Sequence, residues 1–345
     1  MIGTELLKGQ GLGNQLFAYV TARAIAKERG CEFGICHPEC LANNIHSNTG
    51  MYFMDIDTGI EISEEDKKSF KVFDDDDTRM YVGTSKSDME NGAYISGSKK
   101  EIHEVEDNTL LYGNLQDESY FGAYKDEIKE WLKVKKEYDS KEYTSDNLCI
   151  IHMRCGDYEN NPDLHLDRKY WINGMKNMRR KNPNMEFLMV TDDIAAAHKI
   201  LPEVKAVCND IGKDYVTIKN ARYLLLANSS FAVFPAMTSD ELKFAIAPKY
   251  WARHNVSNGY WASEQNIYSF LTYQDRKGKL FSADECRKEL EEYKKKSKAY
   301  ARRNIKPTGC RRGLQVVRRK FIYGVYFAKR IIRSLERRLH LVKVQ

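Results

Sequence analysis

Arg154 stands in the stretch His152-Met153-Arg154-Cys155-Gly156-Asp157-Tyr158, directly behind a short apolar run, Leu148–His152. A guanidinium presents a planar fork of donors to phosphate oxygens, bidentately and independent of pH. Open α/β sheets collect ligands at the carboxyl ends of their strands, so a histidine, an arginine, a glycine and an aspartate gathered there are poorly explained by packing. His152 reads equally well as a structural histidine holding the loop. A second stretch, Gly9-Gln10-Gly11-Leu12-Gly13-Asn14-Gln15, falls at a strand-to-helix turn. Gly11 and Gly13 let a ligand approach the backbone, and the helix N-terminus behind them favours an anion. Asn14 occupies the place where a dinucleotide fingerprint requires its third glycine, and only Glu32, roughly 20 residues on, still fits that pattern. Packing of a tight turn is the competing reading of the glycines.

Two further groups end in the same kind of position. In Thr191-Asp192-Asp193 one carboxylate is expected to cap the helix that starts at Ile194. The other is available to a ribose, a base or an arginine. Asn228-Ser229-Ser230-Phe231 offers hydroxyls and backbone N–H groups in the manner of a phosphate cradle. Metal chemistry has weaker claims. Asp55-Ile56-Asp57 matches a metal-binding Asp-x-Asp, a short pattern that is common by chance. Cys31, Cys36 and Cys40 cluster with His37, but no second ligand pair follows at zinc spacing, so they read as incidental thiols.

The elements that would position these groups follow from periodicity. A strand at Glu5–Lys8 leads through the glycines into a helix from Gln15 to Gly30, then a strand at Cys31–Cys36. Asp74–Asp77 reads as a solvated acidic loop. Lys125–Glu137 reads as an exposed helix anchored by Trp131, ahead of a charged linker. A second block opens with the buried strand Leu148–His152. It continues with a helix at Tyr170–Lys181, a strand at Met185–Thr191, a short helix at Ile194–Ile200, and Val204–Cys208. A helix at Arg222–Leu226 and strands at Phe231–Phe234 and Phe244–Ala247 carry on the alternation. Strands alternating with helices imply parallel sheets with crossovers. Two α/β domains, 1–146 and 147–286, and a tail, 287–345, are the economical division.

Length and composition agree. The 345 residues allow about two domains, and an apolar fraction of 42% with 11% aromatics excludes wholesale disorder. From Arg287 onward there are 20 basic and 4 acidic residues, a balance of +16, against 35 and 45 before it, a balance of −10. Between 314 and 342, Leu314, Val317, Phe321, Val325, Ala328, Ile331, Ile332, Leu335, Leu339 and Val342 recur at helical spacing among Arg318, Arg319, Lys320, Lys329, Arg330, Arg333, Arg337 and Arg338. A helix lying on an anionic membrane surface accounts for both faces. A docked terminal helix ranks second and nucleic acid third, so no nucleic-acid partner is expected. No window reaches the roughly 18 apolar residues of a membrane span. Met1–Gln15 lacks the features of a signal peptide, and eight cysteines are too sparse for a disulfide scaffold. The expected location is the cytoplasm, peripheral to the inner face of the membrane.

Taken in order, Gly11-Leu12-Gly13-Asn14-Gln15-Leu16-Phe17-Ala18-Tyr19, His152-x-Arg154-x-Gly156-Asp157-Tyr158, Asp192-Asp193, Asn228-Ser229-Ser230-Phe231 and Ala247-Pro248-Lys249 resemble glycosyltransferase family 11, the α-1,2-fucosyltransferases. The first two motifs are also similar to those of the wider fucosyltransferase superfamily. The resemblance spans roughly Glu5 to Asn266 and is concentrated in those blocks. It implies a GT-B fold, two Rossmann-like domains facing a cleft, and an inverting, metal-independent transfer of L-fucose from GDP-fucose to a sugar hydroxyl. The acceptor would be an oligosaccharide or a lipid-linked glycan. By the same resemblance Arg154 binds the donor diphosphate and Asn14 faces it from the N-terminal domain. His152, Asp157, Asp192, Ser229 and Ser230 line the donor pocket. Cys155 stands where family members carry a second arginine, and Ala232-Val233-Phe234-Pro235 replaces an aromatic-rich stretch. Asp157 and Glu264 are the candidates for taking the acceptor's proton.

Overall fold

The computed structural model describes residues 1–43, 48–75, 97–156, 158, 164–255, 257, 261, 264–296 and 317. The first strand, β1 (Ile2–Glu5), lies earlier than expected. Ile2 is fully buried, whereas Leu7 is half exposed and falls in the loop beyond. Helix α1 (Leu12–Arg29) starts directly after Gly11 and closes on Gly30, whose left-handed φ of 64° lets its N–H return to Ala26 and Lys27. Strands β2 (Phe33–Cys36), β3 (Ile60–Glu61), β4 (Lys71–Asp74) and β5 (Thr109–Tyr112) complete a sheet in the order β3-β2-β1-β5-β4. Every pairing in it is parallel. Asp74 ends β4, and Asp75 is not solvated but wholly buried, accepting hydrogen bonds from Tyr120, Leu115 N–H and Gln265. Residues 76 and 77 lie outside the described residues.

Helix α2 (Lys125–Trp131) is shorter than the expected span. Trp131 carries the Arg23 guanidinium over its ring at 4.8 Å. The second sheet is seven-stranded: β6 (Leu148–Met153), β7 (Glu186–Thr191), β8 (Lys205–Val207), β9 (Tyr223–Leu226), β10 (Phe244–Pro248), β11 (Thr272–Gln274) and β12 (Leu280–Phe281), in the order β12-β11-β10-β9-β6-β7-β8. Only β12 pairs antiparallel. Three connecting helices, α3 (Arg168–Lys181), α4 (Ile194–Ile200) and α5 (Ile211–Lys219), are each capped by an aspartate: Asp167, Asp193 and Asp210.

Two expected elements exchange character. Arg222–Leu226 is no helix: Tyr-Leu-Leu-Leu is apolar on every side, and it forms β9 between β6 and β10. Phe231–Phe234 is no strand: it belongs to a 3-10 turn, Ser230–Ala232, and the helix α6 (Val233–Met237), where Pro235 sits in the first turn and costs little. The fold is therefore the expected α/β arrangement of two Rossmann-like sheets.

Helix α1 is buried along most of its length and packs against the first sheet and against the turn and short helix that follow β9. Phe17 meets Phe121 at 5.9 Å and Phe234 of α6 at 4.7 Å. Helix α7 (Ala283–Lys296) buries Cys286 and Leu290 and sends Arg287 to Glu118 at 2.7 Å. Residues 287–296 are thereby part of the packed body. The amphipathic stretch 314–342 lies outside the described residues apart from Val317, which is exposed. Among the described residues no helix is long and apolar enough to cross a membrane.

Candidate active site

Each sheet reverses its strand order once, and ligands of open α/β sheets bind at that reversal, beyond the carboxyl ends of the strands. In the first sheet the reversal lies between β1 and β5. The glycine loop leaves β1 there, and Gln116 follows β5. They are joined across the crevice, where Gln116 Nε2 donates to Asn14 Oδ1 at 3.0 Å. In the second sheet the reversal lies between β6 and β9, which places Arg154 beyond β6 and Asn228-Ser229-Ser230 beyond β9. The two crevices touch. A Cβ on Gly13 would lie 2.4 Å from Phe231 N and 2.7 Å from Ser230 Oγ, so only glycine allows α1 to begin against that turn. A Cβ on Gly11 would meet nothing within 4 Å.

Arg154 is largely buried, and its Nη1 lies 3.1 Å from Asp192 Oδ2. The other Asp192 oxygen accepts the Cys155 N–H at 2.8 Å, so one carboxylate fixes both the guanidinium and its backbone. Gly156 is needed for this, since a Cβ there would stand 2.5 Å from Asp192 Oδ2. The Arg154 guanidinium lies 5.8 Å from the Tyr158 ring centroid, and the Tyr158 hydroxyl reaches Asn228 O at 3.3 Å. A continuous set of contacts thus runs from Arg154 to the β9 loop and, through Ser230, to α1.

His152 lies beneath this edge, 6% exposed, with its ring 5.7 Å from Phe231. Burial, helped by Arg154, pushes its pKa down to about 3, so it is neutral at any physiological pH. Its Nδ1 has no hydrogen-bond partner, and neither has the buried Asn228 Oδ1. Asn228 Nδ2 is used on Leu164 O at 3.1 Å. Two orphaned polar atoms on adjacent strand ends, each costing about 1–3 kcal/mol when left unmet, suit a site that takes up a polar ligand.

The structure places the other expected residues as follows. Asp192 serves Arg154, and Asp193 caps α4 through the Ala196 N–H at 2.9 Å. Ser229 is buried at the start of the turn that Gly13 contacts. Asp157 lies outside the described residues. Glu264 is bound by Lys294 at 3.1 Å and by Ser98 N–H at 3.4 Å. Asp55 and Asp57 are used on Lys135 and Arg23, each at 3.0 Å, and do not converge. His37 turns to Glu64 at 2.8 Å and approaches Glu5 rather than the neighbouring cysteines. Glu5 is already paired with Lys67 at 2.6 Å. Cys155 follows from the strand that precedes it. Cys149, Ile151, Met153 and Cys155 alternate into one core layer while Ile150 enters the other, so an arginine at 155 would be driven into the core. Gln116 and Asn266 escaped sequence reasoning, for no motif surrounds them. Cavities of about 580 Å³ beside Leu41 and Met54, and about 370 Å³ between Tyr52, Tyr138 and α5, lie elsewhere.

No family model matches the chain. Over 271 residues it is 25% identical to an alpha-1,2-colitosyltransferase of Escherichia coli, covering 72% of this chain and 92% of that enzyme. Among solved structures it is similar to the fucosyltransferase NodZ from Bradyrhizobium, at 14% identity and a TM-score of 0.41, covering 69% of this chain and 92% of that one. It is also similar to POFUT1 in complex with GDP-fucose, at 10% identity and a TM-score of 0.36, covering 71% and 97%. The sequence likeness to a glycosyltransferase thus runs along nearly the whole of that enzyme.

Proposed function

We propose that this chain is an inverting glycosyltransferase that moves L-fucose from GDP-fucose to a hydroxyl of a surface-glycan acceptor, the 2-hydroxyl of a galactose-like sugar. The observation that carries the reading is Arg154, fixed by Asp192 at the strand-order reversal of the second sheet. The colitosyltransferase likeness supports sugar transfer and an α-1,2 linkage. It also favours a second donor, because colitose is fucose without its 3-hydroxyl.

Glycosyl transfer passes through an oxocarbenium-like state while negative charge grows on the departing diphosphate. In this reading Arg154 and the N-terminus of α1 receive that charge, and no divalent cation is needed. The neutral His152 and Asn228 offer the donor polar atoms that cost no charge desolvation. The displacement is completed by a carboxylate that takes the acceptor's proton. Glu264 is occupied by Lys294, which favours Asp157. A cytoplasmic location beside the inner face of the membrane would give such an enzyme access to lipid-linked acceptors.

The test is a panel of GDP-fucose, GDP-colitose, GDP-mannose and UDP-glucose, scored by thermal stabilisation and then by turnover in chelator. A GDP-linked 6-deoxy sugar should stabilise selectively, and turnover should survive chelation. Arg154→Ala should lower kcat by about 100–1,000-fold with the unfolding transition retained. Near-normal turnover in that variant, or stabilisation by the uridine sugar alone, overturns the assignment.

A further inference from the structure

We propose that Gln116 and Asn266 are positioning residues that fix which end of the Asn14 carboxamide faces the crevice. The proposal rests on the donor reading above and adds to it the residues that make Asn14 a donor toward phosphate. Asn14 is exposed on the first turn of α1. A carboxamide offers a carbonyl on one side and an NH2 on the other, and only the NH2 side suits an anion. Left to rotate, Asn14 would present either.

The relay removes that freedom by direction. Asn266 Nδ2 donates to Gln116 Oε1 at 2.8 Å, and Gln116 Nε2 then donates to Asn14 Oδ1 at 3.0 Å. With its carbonyl occupied, Asn14 has its NH2 left for the crevice. Asn266 is itself held. It is nearly buried, its Nδ2 also reaches the buried Tyr268 hydroxyl at 3.3 Å, and its backbone carbonyl accepts from the Tyr273 hydroxyl at 3.1 Å. Its neighbour Gln265 donates to buried Asp75 at 2.7 Å. The three amides come from three places, α1, the loop after β5, and the segment ahead of β11. The relay therefore spans both sheets and pre-orients a ligand group before the ligand arrives.

Gln116→Met keeps the length of the side chain, adds no charge and ends the relay. GDP is the probe, with guanosine as the phosphate-free control, in wild-type and Asn14→Ala backgrounds. In the wild-type background Gln116→Met should raise the Kd for GDP by about ten-fold, with guanosine binding unmoved. In the Asn14→Ala background the same change should have no further effect. Asn266→Asp, which reverses the first donor, should weaken GDP binding in the same background-dependent way. Equal losses in both backgrounds, or a matching loss for guanosine, overturn the relay and leave the donor reading standing. Failure of the intact chain to bind GDP overturns the donor reading and this proposal with it.

Discussion

A methyl group added at Gly13 would press on the backbone of Phe231, whereas one added at Gly11 would project into open space. Gly11 has φ −65° and ψ 149°, values open to any residue, so neither strain nor packing demands glycine there. Within one motif, then, packing accounts for Gly13 and does not account for Gly11. Gly13→Ala should cost about 1–3 kcal/mol by overpacking, read as a lowered denaturation midpoint. Gly11→Ala should leave that midpoint in place and weaken GDP-sugar binding about ten-fold, because the added methyl meets only a ligand close to the backbone. Unchanged affinity in Gly11→Ala would mean that the donor stays clear of this loop. The contrast also marks what a sequence can and cannot disclose at this scale. Glycines at a strand-to-helix turn announce a close approach, but not whether the partner is a phosphate or Ser230. Likewise Cys155 reads as a lost arginine until the alternation of β6 places it in the core.

At the scale of elements, the α/β alternation and the buried strands at 148, 186 and 244 were legible because a short apolar run bounded by polar residues can satisfy its backbone and hide both faces inside a parallel sheet. Helix α5 is not legible in this way, and the pattern over Arg222–Leu226 suggests a helix where β9 forms. Tyr223–Leu226 is too short for its period to show, so neighbouring strands decide its form. The start of α5 was announced by Asp210, whose Oδ1 accepts from Gly212 and Lys213, yet an aspartate before a polar turn is too common to carry a boundary. Asp214, one turn into that helix, accepts from Asn209 at 2.9 Å, and burial raises its pKa to about 7, with Asp210 and Asp192 adding to the rise. A carboxyl whose folded pKa exceeds its unfolded value binds more protons when folded. Its contribution is thus favourable at low pH and is lost as pH climbs from about 4 through 7. Asp214→Asn should therefore stabilise the chain by a few kcal/mol at pH 8 and by roughly a third of that at pH 5. Urea denaturation at the two pH values checks this; a gain of equal size at both would assign the effect to something other than ionisation.

Across the whole molecule, α1 belongs to the cores of both sheets, and ion pairs such as Lys129–Asp240 and Arg287–Glu118 reinforce the contact between the two halves. A donor site assembled from both sheets as proposed would then be preformed, and every residue proposed for it precedes Lys296. We propose a separate task for the basic stretch beyond. From residue 297 on its balance is +14, after −8 through Lys296, and its apolar positions keep helical spacing through Val342. Charge alone would let it fold back on the acidic body; charge with an apolar stripe suits an anionic lipid surface, where each cation contributes about 1 kcal/mol. Truncation after Lys306 retains α7 and its Arg287 contact. The shortened chain should float free of phosphatidylglycerol vesicles that capture the intact one, and should keep its turnover on a soluble acceptor. Added salt should weaken capture of the intact chain without abolishing it, since the apolar face is indifferent to screening. Equal capture with and without the tail would remove the membrane assignment, and capture of the intact chain that vanishes in salt would reduce the tail to a charge tether.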